Sequence, residues 1–160
     1  MEKQPDNYLS MSIENDINQH SFTSEYQKTI VNLIYTYNWT IEQFKKILDN
    51  EGLTMQQFNI LRILRGSAAP LSTLKIRERM LDKMSDTSRI VDRLIIKGLA
   101  KKGTCKHDKR LVDVTITEKG KTLLAQLDKF EPEMENIVHS LSESEAKTLN
   151  ALLDKMRRSN

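Results

Sequence analysis

From Phe22 onward the hydrophobic positions fall on a helical period. Tyr26, Ile30, Leu33, Tyr37, Ile41, Phe44 and Leu48 recur at steps of three and four. They form one stripe of a long helix that ends near Asn50 and Gly52. A second row, Ile34, Trp39 and Ile47, widens the stripe, so this helix needs partners on more than one side. The preceding residues 1–21 are polar, with Pro5 and several Asn, and read as a loose arm with room for a short helix. Thr54 followed three residues later by Gln57 is a capping-box pattern, and it opens a second helix with Met55, Phe58, Leu61 and Leu64 on the buried face. Gly66 is placed to end that helix in a left-handed turn. A connector at 67–70 leads to a third helix, capped by Ser72 and running through Leu74, Ile76 and Met80. After a turn at 81–84, Ser85 or Asp86 opens a fourth helix that buries Ile90, Val91 and Leu94 and stops at Gly98.

The period then shortens to two. Residues 111–116 alternate, with Val112, Val114 and Ile116 on one face, and residues 99–104 supply an antiparallel partner. The tip between them, 105–110, is basic. Such a hairpin is marginal alone, so its apolar face must pack on the helices. Thr117 caps a fifth helix, whose Leu123, Leu127, Phe130, Met134, Ile137 and Leu141 again step by three and four; Pro132 should kink it or break it at Glu131. Ser142 and Glu145 form a second capping box, before a last helix that buries Ala146, Leu149, Leu153 and Met156.

The expected fold is therefore mainly α with a small two-stranded β-wing: a winged helix-turn-helix flanked by long helices. Its parts are an arm (1–21), a long helix (22–52), a winged helix-turn-helix (53–121) and C-terminal helices (122–160). With 160 residues the chain is one domain's length, enough for a core without staples. A single Cys excludes an internal disulfide and a Cys-based zinc site, and no apolar run is long enough to span a membrane. No P-loop, HExxH or ordered Ser-His-Asp set is present, so neither an enzyme nor a cofactor is expected. His20, His107 and His139 are too far apart in sequence to suggest a metal site.

Charge adds more. The net charge is +3, but residues 71–121 hold 14 Lys and Arg against 7 Asp and Glu, which leaves −4 for the rest. A basic middle between acidic flanks is the footprint of nucleic-acid contact; a solvated basic face is the plainer alternative. In a winged helix-turn-helix the fourth helix here reads the major groove and the wing reaches the neighbouring minor groove. Ser85, Thr87 and Ser88, taken as exposed, can then donate to phosphates or base edges, and Arg89 can contact guanine through two hydrogen bonds. Ser72, Arg93 and Lys102 complete the helical and strand part of this candidate interface, and Lys106, Asp108, Lys109 and Arg110 form the wing tip. A winged-helix module used only for protein contact is the rival reading, but it has no need of a basic wing.

Asp92-Arg93-Leu94 with Lys97-Gly98-Leu99, then Asp108-Lys109-Arg110, then Val114-Thr115-Ile116-Thr117 and Gly120 occur in one order and spacing. In these residues the chain resembles the MarR family of bacterial transcription regulators, over roughly residues 25–158. The resemblance implies a cytoplasmic homodimer on a pseudo-palindromic double-stranded operator, most simply a repressor, with the terminal helices as dimerisation platform. It implies that Arg110 enters the minor groove and Asp108 orients the wing tip. It also implies a small aromatic or phenolic effector, for which Tyr35, Trp39 and Phe44 are the candidate lining; aromatics at helical spacing are as readily core. Two features depart from the family pattern: the doubled Lys101-Lys102 and the long arm. Cys105 sits among cations that lower a thiol pKa. The family's peroxide-sensing cysteine lies near the first long helix, where this chain has none, and a passive wing-tip residue is the simpler role.

Overall fold

The computed structural model describes residues 12–104 and 112–158. Cys105 and the wing-tip residues Lys106, His107, Asp108, Lys109 and Arg110 lie outside the described residues, as do residues 1–11. The chain divides into two compact units, 1–42 and 43–160.

In the first unit a short helix, α1 (Ile13–Asp16), precedes α2 (Glu25–Asp49), which continues into the second unit. Lys28 Nζ lies 2.6 Å from Glu14 Oε1 and so ties α1 to α2. α2 starts at Glu25 rather than at Phe22. The Ser24 hydroxyl accepts from the Gln27 N–H at 3.2 Å, and the Gln27 side chain accepts from the Thr23 N–H at 2.8 Å. This polar cap, and not the first apolar residue, fixes the helix start.

In the second unit α3 (Met55–Arg65) opens with the Thr54–Gln57 capping box, both bonds formed. There follow β1 (Leu71–Ser72), α4 (Thr73–Arg79), α5 (Thr87–Ile96), β2 (Ala100–Thr104), β3 (Val112–Ile116), α6 (Glu118–Leu127), α7 (Glu131–Asn136) and α8 (Glu143–Arg158). The sheet has three antiparallel strands in the order β1-β3-β2, not two. Leu71 pairs with Val114 and Ser72 with Asp113, while Ala100 pairs with Ile116 and Lys102 with Val114. A two-residue strand has no period to read, and only its neighbour makes it a strand.

α3 is the hub, packing against α4, α5, α6 and β3. Ile60, Leu61, Ile76, Val91, Leu94, Val114 and Leu124 have no exposed surface. Each such side chain contributes about 1.5–3 kcal/mol by leaving water. Gly98 ends α5 at φ +71°, as expected, but Gly66 has φ −78°, so α3 does not end in a left-handed turn. The break expected at Glu131 comes earlier. α6 stops at Leu127, a 3₁₀ turn covers Asp128–Phe130, and Pro132 sits in the first turn of α7. Proline is tolerated there because a first-turn N–H has no intrahelical partner to lose. Ser142 and Glu145 form the second capping box.

Gly120 is the most tightly enclosed of the glycines. A Cβ there would lie 2.3 Å from the Leu99 carbonyl oxygen and 2.8 Å from Ile116 Cγ1. Gly120→Ala should therefore destabilise by about 1–3 kcal/mol through overpacking. Gly66→Ala, at an ordinary φ with space for a methyl, should instead be neutral or stabilise by up to about 1 kcal/mol. Urea unfolding of both variants checks this ordering.

Candidate nucleic-acid interface

Three local devices aim α5. First, the Ser72 hydroxyl caps α4 by accepting from the Lys75 N–H at 3.3 Å. Second, the turn between α4 and α5 is braced at both ends. The Leu81 N–H donates to Asn59 Oδ1 on α3 at 3.1 Å, and the Met84 N–H donates to Asp82 Oδ1 at 3.0 Å. The Ser85 hydroxyl donates to the other Asp82 oxygen. Third, Asp86, the second of the two expected starts, caps α5 by accepting from the Arg89 N–H at 3.2 Å. Thr87, Val91 and Leu94 form the buried face of α5.

The opposite face of α5 carries Ser88, Arg89 and Arg93, all exposed. The Arg89 side chain is 76% exposed and its Nε lies 3.9 Å from Asp86, a loose pairing that leaves the guanidinium available. Two expectations need correction. Thr87 is buried, not exposed, and its hydroxyl donates to Met80 Sδ at 3.2 Å, so it supports the helix from within. Ser85 is half-buried with its proton committed to Asp82, so it can only accept from a ligand. Both residues sit beside the helix start, where burial of a small polar side chain leaves no mark on the sequence.

Part of the basic charge is engaged within the protein. Lys97 Nζ donates to the Gly52 carbonyl and, at 3.1 Å, to Gln57 Oε1; Lys119 Nζ donates to the Lys97 carbonyl at 2.9 Å. Lys102 Nζ lies 2.6 Å from Asp92 Oδ1, which joins β2 to α5 with both side chains about half exposed. By contrast Arg77 and Arg93 are exposed and make no ion pair among the described residues.

Of the candidate effector-lining residues, Tyr35 and Trp39 belong to the first unit and are 40% and 42% exposed. In the second unit, half-buried Phe44 lines an open cavity of about 350 Å³ with Phe58, Arg62, Leu127 and Met134. The Arg62 guanidinium lies 5.7 Å from the Phe58 ring centre. At the cavity edge Arg65 binds Asp128 through two bonds of 2.7 and 3.0 Å, and these hold the Asp128 carboxyl below its usual pKa. Among the described residues no group is suited to a metal ion, and no helix is long and apolar enough to cross a membrane.

No protein-family model and no curated protein matches the sequence. Solved structures do. A mutant MarR from E. coli complexed with operator DNA superposes with a TM-score of 0.75 at 23% identity, over 85% of this chain and 99% of that one. A MarR transcription factor from Planctomyces limnophilus gives 0.63 at 29% identity, over 84% and 98%. Bordetella bronchiseptica BpsR, whose DNA binding is regulated by 6-hydroxynicotinic acid, gives 0.69 at 23% identity, over 78% and 95%. The chain therefore has the MarR-like winged-helix fold, and the proteins that share it here are transcription regulators, not enzymes.

Two measurements test the local geometry. Thr87→Val keeps the buried volume, so it should alter stability by less than about 1.5 kcal/mol, the range of one ordinary hydrogen bond, and leave any DNA affinity unchanged. Asp82 is held below its ordinary carboxyl pKa of 3.8, first by the Ser85 hydroxyl and then by the Met84 N–H. A depressed pKa means the brace is fully present above the ordinary value and is lost as pH falls through the lowered one. The Met84 amide resonance should accordingly titrate on the acid side of 3.8 and cease to do so in Asp82→Asn.

Proposed function

We propose that the protein is a sequence-specific, double-stranded DNA-binding transcription regulator that works as a homodimer in the bacterial cytoplasm. It most simply acts as a repressor that blocks transcription from a pseudo-palindromic operator. The observation that carries this reading is the outward face of α5, where Ser88, Arg89 and Arg93 stand on a helix whose entry turn is braced by Asn59 and Asp82. Arg89 suits a two-bond guanine contact and Arg93 a phosphate or a second base edge. Ser72 and Lys102 flank them, and Lys106, Asp108, Lys109 and Arg110 extend the interface into the wing by sequence resemblance. A module used only for protein contact has no use for exposed arginines on this face.

Dimerisation is supported by exposed apolar surface. α8 buries no residue, and its Leu149, Leu152 and Met156 are about half exposed. Tyr26, Ile30, Ile34 and Tyr37 of α2 are likewise exposed. Segments 22–52 and 122–160 then act as the dimerisation platform, and 53–121 as the DNA-binding part. A two-fold dimer presents two copies of α5 about one helical turn of DNA apart. A small aromatic or phenolic effector, with Tyr35, Trp39 and Phe44 as its candidate contacts by sequence resemblance, would shift the dimer between DNA-competent and incompetent states.

Removing all residues after Leu141 should abolish dimerisation and operator binding together; a truncated chain that sediments as a dimer contradicts the role given to α8. Binding-site selection from random duplexes should recover a pseudo-palindrome. Arg89→Ala should relax preference at one position in each half-site by about 1–3 kcal/mol and flatten the salt dependence by about one unit per half-site.

A further inference from the structure

Three large apolar side chains stand exposed in the corner between α4 and α5: Leu74 at 64%, Leu81 at 77% and Met84 at 92%. Single exposed apolar residues are ordinary on protein surfaces. Here Leu81 and Met84 stand on a turn whose backbone is fixed by the Leu81–Asn59 and Met84–Asp82 hydrogen bonds, with Leu74 on the adjoining α4, all within the basic segment 71–121. Leu74 and Met84 also line one open groove, shared with Arg77, Ser85, Asp86 and Ser88. That groove adjoins the exposed face of α5.

The chemistry of the groove selects its occupant. An apolar protein partner seated here would cover Arg77 and the neighbouring α5 arginines without neutralising them, which is costly. A DNA duplex offers phosphates for those charges. In its major groove the one apolar group that base edges present is the 5-methyl of thymine. The Asp86 carboxylate on the groove wall disfavours a phosphate at that spot and so favours base edges there. Methionine suits such a contact, because its flexible thioether adapts to a small apolar knob.

From this juxtaposition we infer that Met84 and Leu74 read thymine methyl groups in each half-site, while Arg77 holds an adjacent phosphate. The inference rests on the DNA-binding reading above and adds two specificity-determining residues, and a base type, to it.

The test uses the full-length protein and the duplex recovered by site selection. Each thymidine of a half-site is replaced in turn by deoxyuridine, which removes only the methyl. At one or two positions affinity should fall about fourfold, the effect of withdrawing one buried methyl group. Met84→Ser and Leu74→Ser change exposed side chains and should fold normally. At least one of them should weaken binding to the thymidine duplex and erase the thymidine–deoxyuridine difference. If the wild type binds its selected site but is indifferent to every deoxyuridine, or if both variants keep the difference, the methyl contact is overturned while DNA recognition stands. Serine variants that alter self-association but not DNA binding overturn it in favour of a protein-docking corner. A wild type that selects no duplex at all removes the DNA-binding reading, and this inference with it.

Discussion

Burial of Val91 and Leu94 in the core shared with α3 and α4 fixes the roll of α5, and with it the direction of Ser88, Arg89 and Arg93. A helix ten residues long is not stable alone in water. Its inner face must therefore be held by packing, and the outer face is whatever remains. The Thr87 hydroxyl and Met80 sulfur add a polar contact within that packed face, at the helix start. Asp82 and Asn59 set the approach of the chain to that point. The groups that position α5 are thus buried or hydrogen-bonded, while Ser88, Arg89 and Arg93, which would meet DNA, are exposed.

The same economy governs the basic residues. Lys97 and Lys119 give their ammonium groups to backbone carbonyls and to Gln57, joining the end of α5 to the starts of α3 and α6. Gln57 is buried and serves twice, completing the α3 capping box and receiving Lys97. A charge count over residues 71–121 cannot separate lysines whose ammonium groups are hydrogen-bonded within the fold from Arg77, Arg89 and Arg93. The excess of positive charge therefore marks the right region but overstates how much of it is offered to a partner.

The terminal helices pose the opposite problem. α8 is sixteen residues long and has no buried side chain, although its apolar stripe repeats at helical spacing. The hydrophobic effect does not leave such a stripe in water without cost. That unspent surface, together with the exposed side chains of α2, is the physical ground for reading the protein as half of a dimer.

Much of this was legible in the amino-acid sequence. The Thr54–Gln57, Ser72, Thr117 and Ser142–Glu145 caps, the change of period at the hairpin and the stop at Gly98 are local signals, set by residues within one turn of each other. The same holds for Arg89 and Arg93, whose spacing from Val91 and Leu94 puts them on the outer face. What the sequence could not carry were decisions made by distant neighbours. β1 exists because β3 lies beside it, and Gly120 is required because the Leu99 carbonyl passes 2.3 Å from where a Cβ would be. Thr87 is buried because Met80 covers it, and Met84 is exposed because Asp82 and Asn59 hold the turn outward. Periodicity and capping act over three or four residues, so the sequence determined the elements. Burial and close approach depend on what the rest of the chain brings near, so only the tertiary structure decided which side chains were left to face a partner.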